Sequence, residues 1–221
     1  KEADMVVLAI GEDRLQSGEA TSNANIRIPK VQEALLDGIT EVNQNIVVVL
    51  FSGRPLDIRE INKKAKAILQ VWLPGTEGAR AIADTLFGKY NPSGKLPMSF
   101  PYCVGQVPVH YNEYSTGRPH IEGKDKDRFR SKYLDIPNEP LYPFGYGLSY
   151  TTFEVSDIQL NQTWMDTSGQ IEAEVTVKNT GNCTGTETLQ LYIHDIAASV
   201  VRPVRELKDF KKVTLRPGEE R

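Results

Sequence analysis

Residues 5–29 read Met5-Val6-Val7-Leu8-Ala9-Ile10 and then Gly11-Glu12-Asp13-Arg14-Leu15-Gln16-Ser17-Gly18-Glu19-Ala20-Thr21-Ser22-Asn23-Ala24-Asn25-Ile26-Arg27-Ile28-Pro29. The first six residues are apolar and β-branched enough to form a buried strand. Beyond the polar stretch, Val31, Leu35, Ile39 and Val42 fall on one helical face, and Pro29 suits a first helical position. The stretch between is therefore a long crossover loop from strand to helix. In open α/β sheets ligands gather beyond the carboxyl ends of the strands. Glu12, Asp13 and Glu19 thus stand where substrate chemistry is expected.

Outward from that loop, strand and helix patterns continue to alternate. Asn45-Ile46-Val47-Val48-Val49-Leu50-Phe51 is a second buried-strand run, and Ser52-Gly53-Arg54-Pro55 turns into a short helical piece with Leu56 and Ile61 inward. Ala67-Ile68-Leu69-Gln70-Val71-Trp72 is a third strand, closed by Pro74-Gly75. Ala79, Ile82, Ala83, Leu86 and Phe87 then keep helical spacing, with Gly88 as C-terminal cap. Asn91-Pro92-Ser93-Gly94 has the residues of a type I turn, and Leu96-Pro97-Met98-Ser99-Phe100-Pro101 reads as an extended segment near a sheet edge. Residues 1–101 are therefore expected to form an α/β domain, a mostly parallel sheet sandwiched by helices.

The periodicity lapses over residues 102–150, which hold seven tyrosines, several prolines and a charged run at 124–132. Aromatic residues argue against simple disorder, so this is expected to be an ordered irregular excursion. From Phe153 the period becomes two. Ile171, Ala173, Val175 and Val177 alternate with polar residues, as do Leu189, Leu191 and Ile193, with Asn179-Thr180-Gly181-Asn182 as the turn between. Residues 151–221 are expected to be an antiparallel β-sandwich, with fewer strands than the seven of a complete immunoglobulin-like domain.

The chain has 221 residues, 39% hydrophobic and 25% charged, which is ordinary globular composition. Its formal charge of −3 gives no reason to expect nucleic acid or an anionic membrane as partner, and no apolar run has transmembrane length. The chain looks cut at both ends, starting just before a core strand and stopping just after Pro217-Gly218. The two cysteines, Cys103 and Cys183, match no metal or redox spacing and read as unpaired thiols.

Among the candidate groups Glu19 is the sharpest. Small neighbours, Gly18 and Ala20, allow close approach, and a carboxyl there can serve as general acid if burial against a second surface keeps it protonated. A Ca²⁺ or Mg²⁺ site from Glu12, Asp13 and Glu19 fits no calcium-loop pattern, and no metal or cofactor is expected. His110, His120 and His194 have no nucleophile elbow to serve. Gly75-Thr76-Glu77-Gly78 lacks a Walker lysine, which disfavours a nucleotide-dependent enzyme.

Several segments together resemble one family. Trp72-Leu73-Pro74-Gly75-Thr76-Glu77-Gly78, Ala81-Ile82-Ala83-Asp84-Thr85-Leu86-Phe87-Gly88 and Asn91-Pro92-Ser93-Gly94-Lys95-Leu96-Pro97-Met98-Ser99-Phe100-Pro101 are similar to the second domain of family 3 glycoside hydrolases, closest to bacterial β-glucosidases. Leu141-Tyr142-Pro143-Phe144-Gly145-Tyr146-Gly147-Leu148-Ser149-Tyr150-Thr151-Thr152-Phe153 resembles that family's junction into a fibronectin type III-like domain. The resemblance implies a retaining exo-β-glucosidase whose nucleophilic aspartate lies on a (β/α)₈ barrel upstream of this chain. It implies a β-glucoside or oligosaccharide substrate and a periplasmic or secreted location. Ile26-Arg27-Ile28-Pro29 and Gln32 match the family's segment after the acid/base, which implies Glu19 in that role. Related sequences often carry an arginine shortly after the glutamate; the comparable position here is Asn23, which keeps Glu12 as fallback. The alternative from another class is a non-catalytic carbohydrate-binding or structural module of the same fold.

Overall fold

A computed structural model describes residues 2–121, 123–124 and 127–221 of the chain. Asp125 and Lys126 of the charged run lie outside the described residues. Strands β1 (Val6–Gly11), β2 (Ile46–Phe51) and β3 (Ala67–Trp72) form a parallel sheet in that order. Helices α1 (Lys30–Thr40) and α2 (Arg59–Lys64) make the crossovers, and α3 (Gly78–Leu86) follows β3. The fold is the expected one, a parallel α/β sheet with helices followed by short antiparallel strands. Among the described residues no helix is long and apolar enough to cross a membrane.

The chain divides into two compact units, one of residues up to 83 with 96–146 and 192–206, the other of 84–95, 147–191 and 207–221. In the first, β2 is the central strand. Its Ile46, Val48 and Leu50 are fully buried and Val49 nearly so, as a strand covered on both faces requires. Leu56 and Ile61 point inward as expected. β1 departs from expectation, because Leu8 and Ile10 are buried while Val7 is 51% exposed and Ala9 is exposed.

The face of α1 also differs. Val31, Leu35 and Val42 are exposed, and the buried residue is Leu36 with Ile39 packed beside it. The reason is Gln32. Its amide donates to the Gly11 carbonyl at 3.0 Å and accepts from the Gly11 amide at 2.8 Å. That clamp rotates positions 32, 36 and 39, which are spaced i, i+4, i+7, toward the sheet. Burying Leu36 stabilises the unit by about 2–3 kcal/mol.

Two expectations around α3 fare differently. Gly88 caps it, with φ of 73° and its amide donating to the Thr85 carbonyl at 3.0 Å. Phe87, expected on the buried stripe, is 82% exposed because the helix has ended at Leu86. The type I turn expected at 91–94 is absent. The Asn91 side chain accepts from Ser149 Oγ at 2.9 Å and the Tyr150 amide at 2.8 Å, and donates to the Thr184 carbonyl at 3.0 Å. These distant bonds stand in for the local turn. The extended segment expected from Leu96 is bent at Pro97 and Met98, with Leu96 and Phe100 on either side exchanging backbone bonds with 142–146.

In the β module, β4 (Phe153–Val155) pairs antiparallel with β7 (Val177–Asn179), and β5 (Gln159–Leu160) antiparallel with β6 (Ala173–Glu174). β8 (Gly185–Ile193) pairs with β9 (Glu206–Leu215). Among the described residues β4 to β7 are only two or three residues long, whereas β8 and β9 have nine and ten. The single strand expected over 170–178 is thus interrupted at Val175-Thr176. The alternation expected at the end of β8 is overturned, for Leu191 and Ile193 are exposed while Tyr192 sets its ring edge-on to Tyr111 at 6.1 Å.

Asn179, expected as a turn residue, is fully buried. Its Nδ2 donates to the Cys183 and Leu215 carbonyls at 2.9 and 3.0 Å, and its Oδ1 accepts from Thr151 Oγ1 at 2.7 Å and the Gly181 amide at 3.1 Å. Around it Val177, Val213 and Leu215 form the module's small core. Asn179→Ala strands those buried partners and is expected to lower unfolding free energy by about 2–3 kcal/mol, measured as a lower urea midpoint at unchanged slope.

Candidate active-site loop

The loop between β1 and α1 has almost no regular structure, and its course is set by its anchors. At its entrance Gly11 has φ of 142°, and an added Cβ would lie 1.8 Å from the Phe51 carbonyl oxygen. Only glycine fits so close to β2. The Gln32 amide holds the same residue from the helix side. At the exit, Asp57 donates its amide to the Ile26 carbonyl at 2.9 Å. Asp57 in turn receives Arg59 through Nε and Nη2, both at 3.0 Å, a bond that raises Arg59 above its ordinary value.

The middle of the loop is held by Arg54, from the turn after β2. Arg54 Nη2 donates to the Gln16 carbonyl and, at 3.0 Å, to the Thr21 carbonyl. Its Nε lies 3.0 Å from Glu12 Oε1, off the line of a good hydrogen bond, so that contact is an attraction of charges. Glu12 Oε2 accepts from the Gly53 amide at 3.2 Å, and the Glu12 side chain is 3% exposed. At Gly53 a Cβ would meet the Ser17 side chain, Oγ at 1.7 Å, so a larger residue there has to move Ser17.

Glu19 lies between the two carbonyls that Arg54 holds. It is exposed, and both neighbours have positive φ, Gly18 at 127° and Ala20 at 58°. For alanine that conformation costs about 1–2 kcal/mol, and it persists only where the surroundings impose it. Thr21 contributes, donating its hydroxyl to the Gly18 carbonyl at 2.6 Å. Gly18, Ala20, Thr21, Gly53 and Arg54 line an open cleft of about 430 Å³. The cleft lies beyond the carboxyl ends of β1 and β2.

The structure therefore separates the sequence candidates. Glu12 is buried in an ion pair, whereas Glu19 is exposed and sits in the chain between Gly18 and Ala20, which line the cleft. Asp13 closes a local turn, accepting from the Leu15 amide at 2.6 Å. Among the described residues no three His, Cys, Asp or Glu side chains come together as a metal site. Asn23 accepts from the Asn25 amide at 3.2 Å, so the guanidinium that engages the middle of this loop comes from Arg54 instead. Sequence reading missed Arg54, though a turn after a strand parallel and adjacent to β1 must emerge beside the β1 loop. Tyr111, Tyr114 and Tyr133 of the tyrosine-rich stretch line part of a separate cavity of about 570 Å³.

Comparison with known proteins gives the following. The glycosyl hydrolase family 3 C-terminal domain matches residues 1–150, and a fibronectin type III-like domain matches residues 187–221. A periplasmic beta-glucosidase of Salmonella typhimurium is 50% identical over 219 residues, 99% of this chain and 28% of that protein. A beta-xylosidase of Formosa agariphila is 42% identical over 219 residues, 99% of this chain and 29% of its own. The crystal structure of a Listeria innocua beta-glucosidase in complex with glucose superposes with a TM-score of 0.95 at 47% identity, over 100% of this chain and 30% of that one. The chain thus spans under a third of the length of the relatives it matches.

Gly11→Ala is expected to cost about 3 kcal/mol or more by forcing β1 from β2. Gly94→Ala, where an added Cβ meets nothing within 4 Å, is expected to stay within about 0.5 kcal/mol of the parent. Thermal melts of the two variants make the comparison.

Proposed function

The chain belongs to glycosyl hydrolase family 3, and from that premise we propose that it is the C-terminal part of a retaining, exo-acting β-glucosidase in which Glu19 is the general acid/base. The observation that carries this reading is the pairing of an exposed carboxyl on an anchored loop with a neighbouring carboxyl, Glu12, already committed to an ion pair. The nucleophile is an aspartate on a (β/α)₈ barrel encoded upstream. The substrate is a β-glucoside or oligosaccharide with a terminal glucosyl residue, and the compartment is the periplasm. The name of the Salmonella relative supports both. A relative of similar identity is named for xylosides, in keeping with a glycone chosen by the barrel and not by this chain.

The chemistry proceeds in two steps. A retaining mechanism places two carboxyl groups roughly 5–5.5 Å apart across the scissile bond. Glu19, protonated, delivers its proton to the glycosidic oxygen as that bond to the anomeric carbon breaks. The aspartate closes on the anomeric carbon to form the glycosyl-enzyme, and the aglycone alcohol leaves. Glu19, now a carboxylate, takes a proton from water as the water oxygen displaces the aspartate, and the sugar departs with its configuration retained. The general acid must stay protonated while the nucleophile is ionised. Closure of the barrel over the loop supplies the desolvation that separates the two roles. The chain alone carries one of the two carboxyls and is inactive by itself.

In the full-length enzyme Glu19→Ala is expected to lower kcat by about 10²–10⁴ on glucosides with poor leaving groups. The loss is much smaller for an activated aryl glucoside, and azide restores turnover of that substrate by entering the vacated space. Wild-type turnover of the poor substrate removes Glu19 from the role. Glucoside binding by this chain alone, read by calorimetry, favours the carbohydrate-binding module.

A further inference from the structure

We propose that Arg54 is a positioning residue for Glu19, and that Glu12 serves to cancel the charge of Arg54 so that the loop is clamped without disturbing the acid. This rests on the assignment of Glu19 as general acid/base. Three observations carry it. Arg54 bonds the carbonyls of Gln16 and Thr21, which bracket Glu19 in the chain, so one planar guanidinium closes the loop around the reacting residue. Glu12 is 3% exposed and has one oxygen on Arg54 and the other on the Gly53 amide, so it is placed to neutralise rather than to react. Ala20 is held in a left-handed conformation directly after Glu19, which a slack loop would relax.

The electrostatic requirement follows from the chemistry. A bare guanidinium near a general acid favours its ionised form and weakens it as a proton donor. Nη2 holds both carbonyls while Nε faces Glu12, so a lysine, with one nitrogen, could supply the charge but not both engagements at once. Glu12 opposite Arg54 leaves the clamp net neutral. The charged groups to account for are Glu12, Asp13, Arg14 and Arg27 on the loop itself, Arg27 being paired with Glu33 of α1 at 3.0 Å, and Arg54 from the β2 turn. Arg54 is the charged side chain among the described residues lining the cleft. Asp13 is engaged in its own local turn.

The test uses the full-length enzyme with pH–rate profiles on two substrates, a glucoside with a poor leaving group and an activated aryl glucoside. Glu12→Gln leaves Arg54 uncompensated, so the alkaline limb of kcat/KM on the poor substrate is expected to move down by about half a pH unit. Arg54→Lys keeps the charge but has one nitrogen where Arg54 uses Nη2 for the two carbonyls and Nε for Glu12. Its kcat on the poor substrate is expected to fall about ten- to a hundredfold, with KM little changed and the activated substrate much less affected. The double variant Glu12→Gln/Arg54→Met is neutral again, and its limb is expected to return toward the wild-type position while kcat stays low. Melting curves accompany each variant. Variants that melt lower but keep the wild-type limb, leaving-group dependence and kcat overturn the proposal, since a purely structural pair would behave so. If Glu19→Ala loses activity and azide rescues it while the Arg54 and Glu12 variants stay wild-type, only the clamp falls. A silent Glu19→Ala overturns both.

Discussion

The contact on which the rest of the candidate site depends is the one between Glu12 and Arg54. The loop from Glu12 to Asn25 has little secondary structure, and each fixed residue costs about 1–2 kcal/mol of backbone entropy. A single course can be held only by bonds that outweigh that cost, and Arg54 makes several from one rigid group. Because the pair is largely out of water, removing either partner leaves an uncompensated charge, a loss of about 3–5 kcal/mol in comparable buried pairs. The same interaction therefore fixes the loop and punishes its loosening.

That contact exists because of the sheet. β1 and β2 run parallel in register from Val6 beside Ile46 to Gly11 beside Phe51, so both strands end at the same edge. The β1 loop and the β2 turn must emerge side by side there. Gly11 lets β1 approach the backbone of Phe51, and Gly53 leaves room for the Ser17 side chain. Gln32 reaches back from α1 to both backbone atoms of Gly11. Sheet, helix and turn thus converge on the few residues that hold Glu19 in place.

The second unit uses the same device with neutral groups. Asn179 and Asn91 each bind backbone groups far away in sequence, Asn179 inside the small core and Asn91 at the 149–150 and 184 segments. Apolar burial there is modest, with Val177, Val213 and Leu215 as its buried residues. Where strands are only two or three residues long, saturated side-chain amides fix the loops that short ladders leave undetermined.

The sequence by itself determined the alternation of strand and helix, because a continuous apolar run as short and β-branched as Ile46 to Phe51 reads as a covered strand. It also determined the cap at Gly88 and the long polar loop after β1 that carries Glu12, Asp13 and Glu19. Only the tertiary structure decided which face of α1 is inward, since Leu35 and Leu36 are equally apolar and a clamp between Gln32 and Gly11 breaks the tie. It alone showed that Asn179 is a core residue rather than a turn, that Leu191 and Ile193 lie outward, and that Glu12 is bound while Glu19 is exposed. Periodicity reports how often a side chain faces one way, an average over the local chain. Which carboxylate meets which guanidinium depends on residues forty positions apart arriving at one sheet edge, and no local pattern encodes that meeting.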